Sequence, residues 1–171
     1  MKNHPDYSHG FLVRAVLTAL ALAALPALAR EPDGQQWRKD PASQCAFVAP
    51  RSLGTAPVFW TGECKAGKAE GKGMLRARQG SIAGPAFFGE LRGGVPVMGA
   101  VDLDGGYRAG RFMDSDIGTE DGDRQTSDDA IALALGVARS ISETFASAGN
   151  AASAKHYADV AARFEQQLQA D

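Results

Sequence analysis

Residues 60–75 read Trp-Thr-Gly-Glu-Cys-Lys-Ala-Gly-Lys-Ala-Glu-Gly-Lys-Gly-Met-Leu, and this spacing restricts the fold more than any other stretch. Glycine weakens a strand, so several at even spacing beside a tryptophan point to a large ring lying over bare backbone. Side chains alternate between the faces of a strand. Trp60, Gly62 and Cys64 therefore share one face, and Ala69, Gly71, Gly73 and Leu75 share it on the return strand. Lys65-Ala66-Gly67-Lys68 supplies the turn, with Gly67 free to adopt positive φ. The opposite face carries Lys65, Lys68, Glu70, Lys72, Met74 and Arg76, a pattern that predicts a charged, solvated surface.

A looser copy follows. Phe87, Gly89, Leu91 and Gly94 repeat the spacing of Trp60, Gly62, Cys64 and Gly67. Met98 and Ala100 then stand where glycines are expected, while Val95, Val97, Gly99, Val101 and Leu103 alternate in the other parity. The second turn is thus expected to differ from the first by one residue. Gly110 and Phe112 open a third, incomplete unit. Stacked hairpins share a core that no single hairpin can build, so a β-meander is the natural reading.

The pattern aromatic-x-Gly-x-aromatic-x-x-Gly-x-x-x-Gly-x-Gly resembles the MORN repeat. Trp60, Gly62, Gly67, Gly71, Gly73 and Leu75 match it, with Cys64 at the second aromatic position, as in exported bacterial MORN-like proteins. The resemblance covers roughly residues 45–112. It implies a scaffold of stacked hairpins used for protein assembly or membrane-proximal attachment, with structural rather than catalytic motif residues.

Export is indicated independently. Lys2 and Arg14 precede an apolar run over 15–29 that ends in Ala27-Leu28-Ala29, the small-x-small pattern of a signal-peptide cleavage site. The run is shorter than the ~20 apolar residues of a comfortable membrane span. Residues 1–29 are therefore read as a cleaved signal, and the mature chain as periplasmic or secreted. Cys45 and Cys64 are the only two cysteines. In an oxidising compartment they are expected to pair, contributing on the order of 3 kcal/mol.

The remaining segments follow from composition and periodicity. Residues 30–44 are polar and turn-rich, a loose lead-in with Trp37 as its large apolar residue. Residues 45–113 form the β domain and 114–126 an acidic linker. Residues 127–171 form a helical hairpin, with Thr126 or Ser127 as its N-cap. Ile131, Ala134, Leu135, Ala138, Ile141, Phe145 and Ala148 make one apolar stripe; Ala154, Tyr157, Val160, Ala161, Phe164 and Leu168 make the other. The expected fold class is α+β: an antiparallel meander with one disulfide, then two helices.

Function is less constrained. His156 is the only histidine beyond the signal, and no serine or cysteine sits in an activating motif. Glu63, Glu70 and Glu90 could approach one another on the sheet, which leaves a small envelope hydrolase as an alternative. Asp114-x-Asp116 and Asp121-Gly-Asp123 lack the spacing of a calcium loop, so no metal or cofactor is expected. The basic excess of residues 30–113 is too small for nucleic acid. Lys65, Lys68, Lys72, Arg76 and Arg78 form a candidate surface for anionic lipid or glycan. Ile131, Leu135, Ile141, Phe145, Tyr157, Phe164 and Leu168 form a candidate face for a protein partner or self-association. The leading expectation is an exported, non-catalytic scaffold or binding protein that engages a protein partner.

Overall fold

The computed structural model describes residues 1, 35–118 and 123–170; apart from Met1, the predicted export signal lies outside the described residues. The fold is α+β, a curled mixed sheet followed by two helices. The strands are β1 (Trp37–Lys39), β2 (Ala46–Val48), β3 (Val58–Trp60), β4 (Glu63–Lys65), β5 (Lys68–Gln79), β6 (Ile82–Arg92), β7 (Val95–Leu103), β8 (Gly106–Met113) and β9 (Asp116–Gly118). The helices are α1 (Arg124–Ser147) and α2 (Ala151–Gln169). Strand order is β1-β2-β5-β6-β7-β8-β9, with β3 and β4 both pairing to β5.

One pair departs from the expected antiparallel pattern: β2 meets β5 in parallel, at Ala46 and Lys68. The chain leaves β2 through a single 3-10 turn at Arg51–Leu53 and visits β3 and β4 before β5 begins. That excursion is long enough to return the chain alongside β2 in the same direction, which a tight hairpin cannot do.

The glycines do the work their spacing suggests. Trp60 is almost fully buried, and a Cβ on Gly62 or Gly73 would collide with its ring. Phe87 lies in the same way over Gly89 and Gly99. A register shift between Glu90 and Leu91 absorbs the one-residue difference of the second unit, so Gly99 serves Phe87 as Gly73 serves Trp60. Gly71 has a different reason. It holds φ at 79° with open space around it, a conformation that side-chain-bearing residues resist.

Apolar side chains cover both faces of the sheet. The first core gathers Phe47, Leu53, Val58, Trp60, Leu75, Phe87, Leu91 and Val101. The second joins Met74, Ala86, Phe88 and Ala100 to the apolar stripes of α1 and α2. Phe88 meets Phe164 edge-on at 5.6 Å and Tyr157 at 6.3 Å, and Phe145 stacks on Tyr157 at 5.5 Å. The face expected to be charged and solvated is so only toward the β4–β5 turn. Farther along β5, Met74 and Arg76 are buried beneath the helices.

Two segments expected to be loose are ordered parts of the sheet. The lead-in contains β1, and Asp40 behind it is buried, accepting from the backbone N–H groups of Trp60 (3.3 Å) and Ala42 (2.8 Å). Within the acidic linker, β9 adds the last strand. Its Asp116 is buried and accepts from the Ser52 hydroxyl (2.7 Å) and Arg108 (2.8 Å). Neither acid advertises itself in sequence, because a buried carboxylate is recognised only by its partners. The N-cap of α1 is Asp123, not Thr126 or Ser127: its side chain accepts from the Thr126 hydroxyl and from the Thr126 N–H, and these bonds lower the carboxyl pKa. Gly136, in the interior of α1, costs about 1 kcal/mol relative to alanine, and a Cβ there would meet nothing within 4 Å.

Candidate functional site

The turn between β4 and β5 is held from several sides. Ala66 and Gly67 both take positive φ, 49° and 75°, the signature of a two-residue turn whose twist matches its strands. Behind it the Ala46 N–H donates to Gly67 O at 2.8 Å. A disulfide joins Cys45 to Cys64 with a Cα–Cα distance of 5.9 Å. Cys45 is buried and Cys64 exposed, so the bridge ties the outer strand to the interior.

Strand register decides which charges meet at this turn. Lys65 stands directly opposite Lys68, and Glu63 opposite Glu70. Like charges in directly opposed positions are destabilising. Glu70 is relieved, because its carboxylate accepts from the Gly93 N–H at 2.7 Å and so anchors the neighbouring β6–β7 turn. Lys68 lies over the Trp37 ring at 4.9 Å. Trp37 itself rests on the sheet, close enough that a Cβ on Gly94 would sit 2.8 Å from its Cζ3. The tip thus presents two exposed ammonium groups and part of an indole on a rigid support.

The five cations proposed from sequence do not form one surface. Lys65 and Lys68 share the tip, and Lys72 lies farther along the exposed part of β5. Arg78 is ten residues from Lys68 on the same strand, roughly 33 Å at the usual rise per residue, and packs over Phe59 at 5.8 Å. Arg76 is internal. Its Nη1 donates to Gly84 O at 3.0 Å, its guanidinium faces Tyr157 (5.6 Å) and Phe88 (6.0 Å), and its Nε and Nη2 find no acceptor among the described residues. Parity placed Arg76 on the right face but gave no warning that helices cover it.

The face offered to a partner is spent inside the molecule. Ile131, Ile141, Tyr157 and Phe164 are buried in the second core, and Leu135, Phe145 and Leu168 pack against it. Arg163 fastens α2 to the sheet by donating to the Tyr107 hydroxyl at 2.8 Å. Both ring systems had to land somewhere, and the Met74–Phe88–Ala100 surface was invisible as an apolar patch because its residues are dispersed over three strands.

Two of the three sheet carboxylates are engaged. Glu70 binds the Gly93 backbone, and Glu90 pairs with Arg92 at 2.9 Å. Among the described residues no group of three or more His, Cys, Asp or Glu is placed to hold a metal ion, and no helix is long and apolar enough to cross a membrane. No protein-family model, characterised protein or solved structure matches the chain.

Proposed function

We propose that this chain is an exported, non-catalytic binding protein of the bacterial cell envelope, a short MORN-like scaffold that docks through its disulfide-stapled hairpin tip onto an anionic surface. The observation that carries this reading is the in-register pair Lys65–Lys68. Two like charges are held opposite each other on a braced turn, and a phosphate or carboxylate bridging them offsets their repulsion. The disulfide fits an oxidising compartment, as the export reading requires. A protein partner on the helices is less favoured, because that apolar face packs on the chain's own sheet.

Sedimentation with phosphatidylglycerol vesicles tests the proposal, with phosphatidylcholine vesicles as the reference. Each lysine near an anionic surface is worth about 1 kcal/mol. The double reversal Lys65→Glu/Lys68→Glu should therefore weaken binding at least about 30-fold, and binding should fall steeply as salt rises from about 50 to 200 mM. Absence of binding to phosphatidylglycerol at low salt, or binding indifferent to the reversal, sinks the reading.

A further inference from the structure

A second site lies apart from the tip, in a cleft of about 300 Å³ between α1, Lys72 of β5 and Thr61 in the β3–β4 connection. That volume is at the small end of ligand pockets. One wall is apolar, supplied by Ala132, Leu133, Val137 and Ile141 of α1. The polar side chains of the lining are Lys72, Thr61, Ser140 and Thr144, and the Thr144 hydroxyl donates to Ser140 O at 2.9 Å. Lys72 and Ser140 have no side-chain hydrogen-bond partner among the described residues. Thr61 accepts from the Met74 N–H through its Oγ1 at 3.0 Å, leaving its own proton to donate. No aspartate or glutamate lines the cleft.

Gly136 supplies the second observation. It lines the same cleft, and the space where its side chain would project is open. Glycine is the poorest helix former after proline, and here no neighbouring atom requires it. What its bare Cα does is keep the cleft open.

We infer that this cleft binds a small amphipathic carboxylate, of the medium-chain fatty acid class. The carboxylate would meet the Lys72 ammonium with the Ser140 and Thr61 hydroxyls, and the hydrocarbon would lie along Ala132, Leu133, Val137 and Ile141. A cation in this position would face the Lys72 ammonium and three hydroxyl-bearing side chains, Thr61, Ser140 and Thr144, with no carboxylate among them. A neutral alcohol would leave the ammonium unmatched. The inference goes beyond the hairpin reading and uses neither Lys65 nor Lys68.

The test is calorimetric titration of the purified chain with decanoate below its micelle concentration, beside decanol and decyltrimethylammonium. Saturable one-site binding of decanoate is expected, with decanol about ten-fold weaker and no binding of the ammonium. Lys72→Gln should weaken decanoate about ten-fold. Gly136→Leu should abolish binding by filling the cleft while leaving the circular dichroism spectrum unchanged, since leucine favours the helix more than glycine does. Lys65→Glu/Lys68→Glu should leave decanoate binding intact, which separates this site from the tip. Absent decanoate binding, equal binding of the ammonium, or unchanged affinity in a folded Gly136→Leu chain would each overturn the inference.

Discussion

Gly73→Ala is the sharpest probe of how the hairpin is built. An alanine Cβ at this position would stand 2.5 Å from Trp60 Cη2, 2.8 Å from Cζ3 and 2.9 Å from the Gly62 backbone nitrogen. Ordinary contact begins near 3.4 Å, so the ring must move by about 1 Å or the strands must part. Overpacking of this kind costs about 1–3 kcal/mol. The ring is also tied by its Nε1–H, which donates to Glu63 O at 2.8 Å. Breaking that bond in a part-buried setting adds about 1 kcal/mol. Against this, replacing glycine by alanine lowers the entropy of the unfolded chain, a gain of at most about 1 kcal/mol. The net loss should be about 2–3 kcal/mol, read from urea unfolding followed by tryptophan fluorescence and circular dichroism. The cause is isolated by repeating the substitution in a Trp60→Leu background. There the ring clash is gone and only the 2.9 Å approach to the Gly62 nitrogen remains, so the cost should fall to about 1 kcal/mol, a coupling of about 1–2 kcal/mol. An equal cost in both backgrounds would refute the proposition that Gly73 is small for the sake of Trp60.

Other substitutions address other parts of the same frame. Arg76→Met should stabilise the fold by about 1 kcal/mol, because methionine can fill the space between Phe88 and Tyr157 without burying two unpaired N–H donors; a loss of more than about 1 kcal/mol in urea unfolding would mean the guanidinium is properly matched. Replacing both cysteines of the Cys45–Cys64 bridge by alanine should cost on the order of 3 kcal/mol for a sequence separation of 19, measured as the fall in urea midpoint at unchanged slope, and an unchanged midpoint would contradict it. His156 has its pKa lowered, first by burial and then by the charges of Arg76 and Arg163. The unfolded chain therefore protonates first as pH falls below about 6.5, so the contribution present above that value is lost through the interval down to the folded pKa; His156→Gln should narrow the difference in urea midpoint between about pH 7.5 and about pH 5.5, and an unaltered difference would assign the pH dependence elsewhere.

Local chemistry was legible where its cause was local. The Trp60 hairpin, its two-residue turn and the parity change of the second unit follow from period-two alternation and glycine stereochemistry, both properties of neighbouring residues. The two helices follow from their stripes, although α1 begins at Arg124, earlier than expected, because Asp123 supplies the cap. What sequence withheld depends on distant partners. Asp40 needs the Trp60 backbone, Asp116 needs Ser52 and Arg108, and the surface beneath the helices needs three strands assembled before it exists. The cleft is of this kind too. Lys72 and Gly136 lie far apart in the chain, and neither attracts notice until α1 is laid on the sheet.

The parity of β5 links these features. Its odd residues Ala69, Leu75 and Ala77 enter the first core, while Met74 and Arg76 enter the second. Lys68, Glu70 and Lys72 share the parity of Met74 and Arg76, so the basic end of the hairpin and the helix-covered end are one continuous face. Coverage by the helices is complete at Met74 and Arg76 and has ended at Lys68, which is exposed. Lys72 falls at the boundary, and there the partial cover leaves a cleft with an ammonium beside it. Adding an apolar side chain at Gly136 should close that boundary without touching the tip, whereas charge reversal at Lys65 and Lys68 should alter the tip without touching the cleft. If either change disturbed both activities, the two sites would have to be treated as a single surface, and the separation drawn from where helix coverage ends would fail.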